Sequence, residues 1–397
     1  MMLIGIVGKP NTGKSTFFKA CTMAQAEAAN YPFTTIDPNR GVGFVRVECI
    51  DKEFNVQCNP RTGFCVNHIR YVPVDIIDVA GLVPGAHEGK GLGNKFLDDL
   101  RNADVLIHIV DISGSTNEKG EPVDLGSYDP LKDIEFLVFE LDMWFYQVIL
   151  KNWKNLARTQ ASTKGKILDA LRDVCAGLSI KEHQLVKGLK GKPELMIDFS
   201  EEQVKQFAFE LRAISKPIVI CANKCDLLSA EANIKRLKEA YPNLLVIPVS
   251  AESELALKEA SKAGLIDYLP GQADFKILKP ESLNEKQVKA LEFVKVNILQ
   301  KYGSTGVQDI LEKSVFDVLG YMPIFPAGST KLADKDGNIL PDCFLLPPKS
   351  TALDFAYTIH SDLGNKFIKA ILAKTKQMVG KDYELKPRDA LEIVSGR

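Results

Sequence analysis

No apolar run in this 397-residue chain approaches the roughly 18 residues that a membrane-spanning helix needs. The apolar stretch Met2 to Val7 is too short for a signal-peptide core and runs straight into a glycine-containing loop, so the cytosol is the expected compartment. Charge of one sign is also missing. Fifty Lys and Arg stand against 51 Asp and Glu, so no whole-molecule field draws the chain onto nucleic acid. The eight cysteines are scattered, and most read as small core residues such as Cys221. What remains is ordinary globular usage, 45% apolar and 25% charged, at a length that suits two or three domains.

The most informative segment is Gly8-Lys9-Pro10-Asn11-Thr12-Gly13-Lys14-Ser15. It follows a predicted strand (Met2 to Val7) and precedes a predicted helix (Thr16 to Thr22), the setting that G-x-x-x-x-G-K-[ST] requires. The glycines let successive backbone N–H groups turn inward as an anion nest, and the helix N-terminus adds positive potential. Gly8, Asn11, Thr12, Gly13, Lys14, Ser15 and Thr16 are the expected nucleotide contacts. Lys14 would reach the β- and γ-phosphates, and the Ser15 hydroxyl would ligate Mg²⁺.

Three further stations follow in order. In the loop Asn30 to Asn39, Thr34 and Thr35 are candidate sensors of Mg²⁺ and the γ-phosphate, Thr35 being favoured. The predicted strand Val74 to Ile77 leads into Asp78-Val79-Ala80-Gly81, where Asp78 would hold Mg²⁺ through water and the Gly81 N–H would sense the γ-phosphate. Asn223-Lys224-Cys225-Asp226 follows a buried-strand pattern, Pro217 to Ala222. Its Asp226 carboxylate suits the N1–H and N2–H₂ edge of guanine, and against adenine it would be left unpaired. Lys224 would lie along the base and Asn223 would tie this loop to the phosphate loop. After the predicted strand Tyr241 to Ser250, Ser250-Ala251-Glu252 would contact the guanine oxygen through backbone N–H. The ligands expected from these residues are GTP and GDP.

The phosphate loop, the segment Tyr31-Pro32-Phe33-Thr34-Thr35-Ile36-Asp37-Pro38-Asn39, Asp78-Val79-Ala80-Gly81-Leu82 and the glycine-rich Gly85 to Leu97 together resemble the Obg family of GTPases. Within it the chain is most similar to the YchF branch, particularly an archaeal-type subgroup. Leu345-Leu346-Pro347-Pro348 and Asp354 to His360 resemble the TGS domain found in such GTPases, in threonyl-tRNA synthetases and in stringent-response enzymes. The resemblance is poor between about Gly114 and Lys216. It implies a P-loop GTPase fold, slow GTP hydrolysis and an association with the ribosome or RNA. Many YchF proteins carry a degraded base-reading motif and prefer ATP, whereas Asn223-Lys224-x-Asp226 is intact here. An ATPase-type variant and a nucleotide-dependent scaffold with negligible turnover are the alternative readings.

Leu82 stands where Ras-type GTPases carry a water-orienting glutamine. Catalysis then rests on electrostatics from Mg²⁺ and Lys14, with Thr35 and Gly81 as phosphate sensors, at rates on the order of 10⁻⁴ to 10⁻² s⁻¹. The resemblance implies that Asn11 helps hold K⁺ beside the phosphates, where it would supply positive charge. His87, in the segment after Leu82, offers a second route to the γ-phosphate beside the reading of a solvated loop histidine.

The expected fold is α/β: a mostly parallel G-domain sheet with helices on both faces, an inserted helical domain, and a ubiquitin-like α+β roll at the C-terminus. The expected boundaries are residues 1–114 and 214–275 for the G domain, 115–213 for the helical insertion, 276–320 for a helical connector and 321–397 for the TGS domain. Asp129 and Pro130 would open the first inserted helix, and Ile134, Leu137, Val138, Leu141, Phe145, Val148 and Ile149 would form its buried stripe. From Lys151 to Lys192 there are ten Lys or Arg and three acids. This net of +7, with no aromatic set to stack bases, marks a candidate phosphate-backbone surface for ribosomal RNA beside the reading of a solvated hairpin. Asp354 to Ile359 and Phe367 to Ile371 read as a helix pair. Cys58 to Cys65, with Cys49 before it and His68 just beyond, reads as a hairpin tip, with reduced thiols, a local disulfide or a metal site as its three chemistries.

Overall fold

The structure, a computed structural model, describes residues 2–23, 39–79, 100–328, 332–334 and 336–396. Thr34, Thr35, Gly81, Leu82 and His87 lie outside them. In chain order the strands are β1 (Leu3–Val7), β2 (Arg40–Glu48), β3 (Phe64–Val66), β4 (Ile69–Asp78), β5 (Val105–Asp111), β6 (Ile218–Asn223) and β7 (Leu245–Val249). The helices among them are α1 (Lys14–Thr22), α2 (Leu131–Thr163), α3 (Ile167–Gly177), α4 (Glu182–Leu189), α5 (Glu201–Ser215), α6 (Ala230–Ala240) and α7 (Ala251–Lys262). The sheet runs β2-β4-β1-β5-β6-β7, with β3 paired antiparallel to β4. Every residue of β1, β5 and β6 is buried, the signature of parallel strands covered on both faces.

The parallel register brings the carboxyl ends of five strands to one edge. Ile6 pairs with Asp78, Val7 with His108, Asp111 with Asn223, and Asn223 with Val249. In open α/β sheets ligands bind at this edge, where each strand hands over to a loop.

The insertion forms because α2 carries two consecutive apolar faces. Ile134, Leu137 and Leu141 join the sheet core, whereas Phe145, Ile149, Trp153 and Ala157 pack with α3, α4 and α5. Val138 and Val148 are only partly buried at its flanks. Pro130 takes the N-cap position and Asp129 lies one residue before it, accepting the Leu131 N–H at 3.2 Å. After α7 come the short antiparallel strands β8 (Ile266–Asp267) and β9 (Lys276–Ile277), then α8 (Glu285–Val294) and α9 (Val307–Lys313) of the connector. No helix among the described residues is long and apolar enough to cross a membrane.

The described residues pack into two compact units, one of 2–20, 39–41, 75–79 and 100–310, the other of 21–23 and 42–74 with 311–328, 332–334 and 336–396. Val42–Val74, read from sequence as part of the G domain, therefore packs with the C-terminal residues. The contacts are specific: Arg46 holds Glu312 through two hydrogen bonds of 2.6 and 3.0 Å, and Lys374 and Arg388 both reach Glu53, at 2.7 and 2.5 Å.

The C-terminal sheet runs β11 (Phe344–Leu346), β10 (Met322–Pro326), β14 (Ala390–Ser395), β12 (Phe367–Leu372), β13 (Met378–Val379) around a core that includes Ile324, Phe355, Ala370 and Leu391. α10 (Ala352–Ile359) starts at a capping box between Thr351 and Asp354, and α11 (Ser361–Asn365) is capped by His360 Nδ1, which accepts the Asp362 N–H at 3.1 Å. Phe367 to Ile371, expected as helix, is a strand paired with β14. Five apolar-rich residues are too few for a period to tell helix from strand, and the pairing decides.

Candidate nucleotide-binding site

The carboxyl edge of the parallel strands opens into a cleft of about 710 Å³. Asn11, Gly13, Lys14, Ser15, Thr16, Asn223, Lys224, Asp226, Ser250, Ala251 and Glu252 all line it, together with Lys9, Pro10 and Leu227. Gly8 and Thr12 stand behind the loop. A Cβ on Gly8 would come to 2.7 Å from the Ile109 carbonyl, and buried Thr12 donates its hydroxyl to Lys9 O at 3.0 Å. Gly13 turns the loop at φ +90°, and a Cβ there would run into the Asn223 amide.

Asn223 links the two motifs of the cleft. Its Nδ2 donates to Thr12 O at 2.8 Å, and its Oδ1 accepts the Ala251 N–H at 3.2 Å. One buried amide thus fixes the phosphate loop, the end of β6 and the start of α7. Lys14 Nζ donates to Asp78 Oδ1 at 2.5 Å, joining the start of α1 to the end of β4. Ser15 follows Lys14 in the first turn of α1. A helix-borne hydroxyl and a carboxylate beside a lysine form an oxygen donor set that suits hard Mg²⁺.

At the other end of the cleft, Lys224 Nζ donates to Asp111 Oδ2 at 2.7 Å and to Ser115 Oγ at 3.3 Å. Burial by itself would raise the Asp111 carboxyl. Hydrogen bonds from Lys224, Ser113 and Ser115 outweigh it and hold Asp111 below the usual carboxylate range. Asp226 faces the same cleft, and no hydrogen bond or ion pair joins its carboxylate to a described residue.

Sequence reasoning missed the clasp behind the phosphate loop. Residues 115–128 fall in the expected helical insertion, ahead of its first helix, yet Asn11 Nδ2 donates to Gly120 O at 2.9 Å and Lys9 Nζ to Thr116 O at 3.0 Å. Lys9 also pairs with Asp133 at 2.8 Å and lies 3.9 Å from the centre of the Tyr128 ring. Burial pushes the Asp133 carboxyl above its ordinary value despite that lysine and the Tyr128 hydroxyl. A lysine inside the loop and an aspartate near a helix start were the available signals. Nothing in their spacing, 124 residues apart, joins them.

Comparison with known proteins bears on the whole arrangement. Family profiles described as 50S ribosome-binding GTPase, as Obg-like GTPase YGR210-like G4 motif-containing domain, and as TGS domain match residues 3–139, 221–328 and 329–395. A GTP-binding protein of Methanocaldococcus jannaschii is 50% identical over 396 residues, covering 100% of this chain and 99% of that one. The ribosome-binding ATPase YchF of Bacillus subtilis is 32% identical, covering 92% of this chain and 87% of that one. The crystal structure of a GTP-binding protein from Pyrococcus horikoshii OT3 superposes with a TM-score of 0.79 at 37% identity over 100% of both chains. With its P-loop sheet, inserted helices and C-terminal TGS domain, the chain belongs to the YchF/Obg family of GTPase-fold proteins.

Proposed function

We propose that the protein binds GTP in this cleft and hydrolyses it slowly, as a switch. The observation that carries the reading is Asp226, a carboxylate facing the cleft without a partner among the described residues, beside Lys224 held along the wall by Asp111. A guanine edge offers two N–H groups to that carboxylate, whereas adenine would leave it dry and unpaired. The Ala251 N–H is engaged by Asn223, so a base oxygen would share it or take the next N–H of α7, Glu252.

Ser15, Asp78 and, from the sequence, Thr35 would hold Mg²⁺, which supplies positive charge to the phosphate oxygens when bound. The protein's own part is positional. Lys14 gives up Asp78 to meet the β- and γ-phosphates, and the N–H groups of the phosphate loop receive the negative charge that leaves with the β-phosphate. Gly81 N–H would report the γ-phosphate. The Oδ1 of Asn11, whose Nδ2 is bound to Gly120, is the donor left for K⁺.

The relatives favour a second reading. Proteins named ribosome-binding ATPase YchF and Obg-like ATPase 1 share 32–34% identity with this chain, while the 50% relative is named a GTP-binding protein. Titration with GTP, GDP and ATP in Mg²⁺ separates the two. Tight guanine binding with weak ATP binding supports the switch reading. Comparable ATP affinity means that Asp226 does not seat the base, and the ATPase reading takes its place. Ribosomal association is part of the proposal, through the basic face of α2 to α4 and the TGS domain.

A further inference from the structure

We propose that Cys49, Asp51, Cys58 and Cys65 form a binding site for a thiophilic divalent cation, zinc foremost, that fastens Val42–Val74 within its own unit. In sequence these residues carry no Cys-x-x-Cys signature. Cys49 follows β2, Asp51 sits in the 3₁₀ turn Ile50–Phe54, Cys58 lies in the next loop and Cys65 is the middle residue of β3. Two left-handed residues fold the loop back, Asn55 at φ 53° and Gly63 at φ +70°, where a Cβ would strike the Tyr71 carbonyl.

One donor atom from each of the four side chains lies within 4.8 Å of all the others. Cys49 Sγ and Cys58 Sγ are 3.6 Å apart, and Cys65 Sγ stands 3.9 Å from Asp51 Oδ2. A tetrahedral zinc site with Zn–S bonds of about 2.3 Å has sulfur–sulfur edges of about 3.8 Å, so Cys49 and Cys58 are already spaced for an ion between them. Cys49 and Asp51 are fully buried and Cys58 nearly so.

The support around Asp51 fits a ligand. His68 Nδ1 lies 2.9 Å from Oδ1, and the Cys58 N–H donates to Oδ2 at 3.2 Å. Metal-binding carboxylates are held by such outer partners, which fix the orientation of the ligating oxygen. A disulfide between Cys49 and Cys58 would use two of these groups and leave Cys65 and a buried carboxylate gathered about the same point for no purpose. Three sulfurs and one oxygen suit zinc or iron better than magnesium or calcium.

The site would brace a surface that meets the C-terminal residues of the same unit. Between Cys58 and Cys65, the Asn59 side chain donates to Asn338 Oδ1 at 3.0 Å and Arg61 pairs with Asp334 at 2.9 Å. Beyond Cys65, buried Arg70 donates to the Leu340 carbonyl. None of these residues belongs to the nucleotide cleft, so the proposal stands whichever nucleotide is bound.

The test uses the full chain, purified with a non-chelating reductant and exposed to one equivalent of Zn²⁺, then desalted and assayed for metal by mass spectrometry. A single zinc per chain is expected in the wild type and in Cys175→Ala. It should be lost in Cys58→Ser and Cys65→Ser, and His68→Ala should weaken affinity about 10- to 100-fold. Co²⁺ in place of Zn²⁺ should give a thiolate-to-cobalt charge-transfer band. If the cysteine variants fail to fold, the wild type alone decides: a chelator should remove the ion and lower the melting temperature. Failure to retain zinc together with no cobalt band, a melting temperature unmoved by chelator, or a Cys49–Cys58 disulfide in the native protein would each overturn the proposal.

Discussion

Asn223 and Asp226 are three residues apart, and replacing them should have different consequences. Asn223 is a buried two-way tie between Thr12 and Ala251, so Asn223→Asp sets a carboxylate oxygen against the Thr12 carbonyl in place of a donor. That disturbs the phosphate loop, which every nucleotide uses. The expected result is weaker binding of GTP and ATP alike, by about 1–3 kcal/mol, read by titration calorimetry. Asp226→Ala instead removes only the base reader. It should abolish the preference for GTP over ATP while leaving ATP affinity near its starting value, and an unchanged ratio would show that the base is read elsewhere. Asn11 provides a third contrast: exchanging Na⁺ for K⁺ should speed hydrolysis in the wild type and leave Asn11→Ala unaffected. Equal rates in both salts would remove K⁺ from the mechanism.

At the scale of elements, β5 shows what the sequence could disclose and what it could not. Its run Asp104 to Asp111 reads as a strand, and the phosphate loop and Asn223-Lys224-x-Asp226 announce themselves by local spacing. The clasp from Lys9 to Asp133 and the brace from Lys224 to Asp111 join residues more than 100 positions apart, so no local pattern contains them. For the same reason the packing of Val42–Val74 with the C-terminal residues, and the strand identity of Phe367–Leu372, emerge only from tertiary pairing. β5 also carries a titration. His108 is fully enclosed, and burial, helped by nearby Lys9, lowers its pKa to about 3. The unfolded chain binds this proton near pH 6.5 and the folded one does not, so stability is lost as pH falls from about 6.5 toward 3. The slope reaches up to about 1.4 kcal/mol per pH unit. Asp111, depressed below its ordinary value, adds a loss of the same sign below about pH 4. Among the described residues His108 Nδ1 has no hydrogen-bond partner, so His108→Leu should fold and should flatten the stability profile between pH 6.5 and 4 in urea titrations. A profile as steep as the wild type's would place the acid sensitivity in other groups.

For the molecule as a whole, charge is balanced in sum and unbalanced in place. The chain has a formal net charge of −1, yet Lys151 to Lys192 carries +7 on α2, α3, α4 and their connections. Apart from partly buried Lys192, these basic residues are exposed. Among them, Arg172 pairs with Asp169, Lys181 with Asp104 and Lys192 with Glu210. The insertion buries its own apolar faces around Trp153, Phe199 and Phe207, so its stability does not require the charge. A cationic face of this kind binds nucleic acid by releasing counterions, and the logarithm of affinity then falls by about 0.7 to 0.9 per phosphate contact for each tenfold rise in salt. Reversing Lys164, Lys166, Lys187 and Lys190 to Glu should reduce the salt slope for ribosomal RNA binding by about 3, while GTP affinity stays unchanged. The charge reversal leaves the buried contacts of the insertion in place, so a loss of RNA binding could not be assigned to unfolding if the melting temperature held. A slope equal to that of the wild type would mean that α2 to α4 only solvate the insertion, and the search for an RNA-binding surface would pass to the TGS domain, where eleven basic and nine acidic residues between Tyr321 and Arg397 leave little net charge.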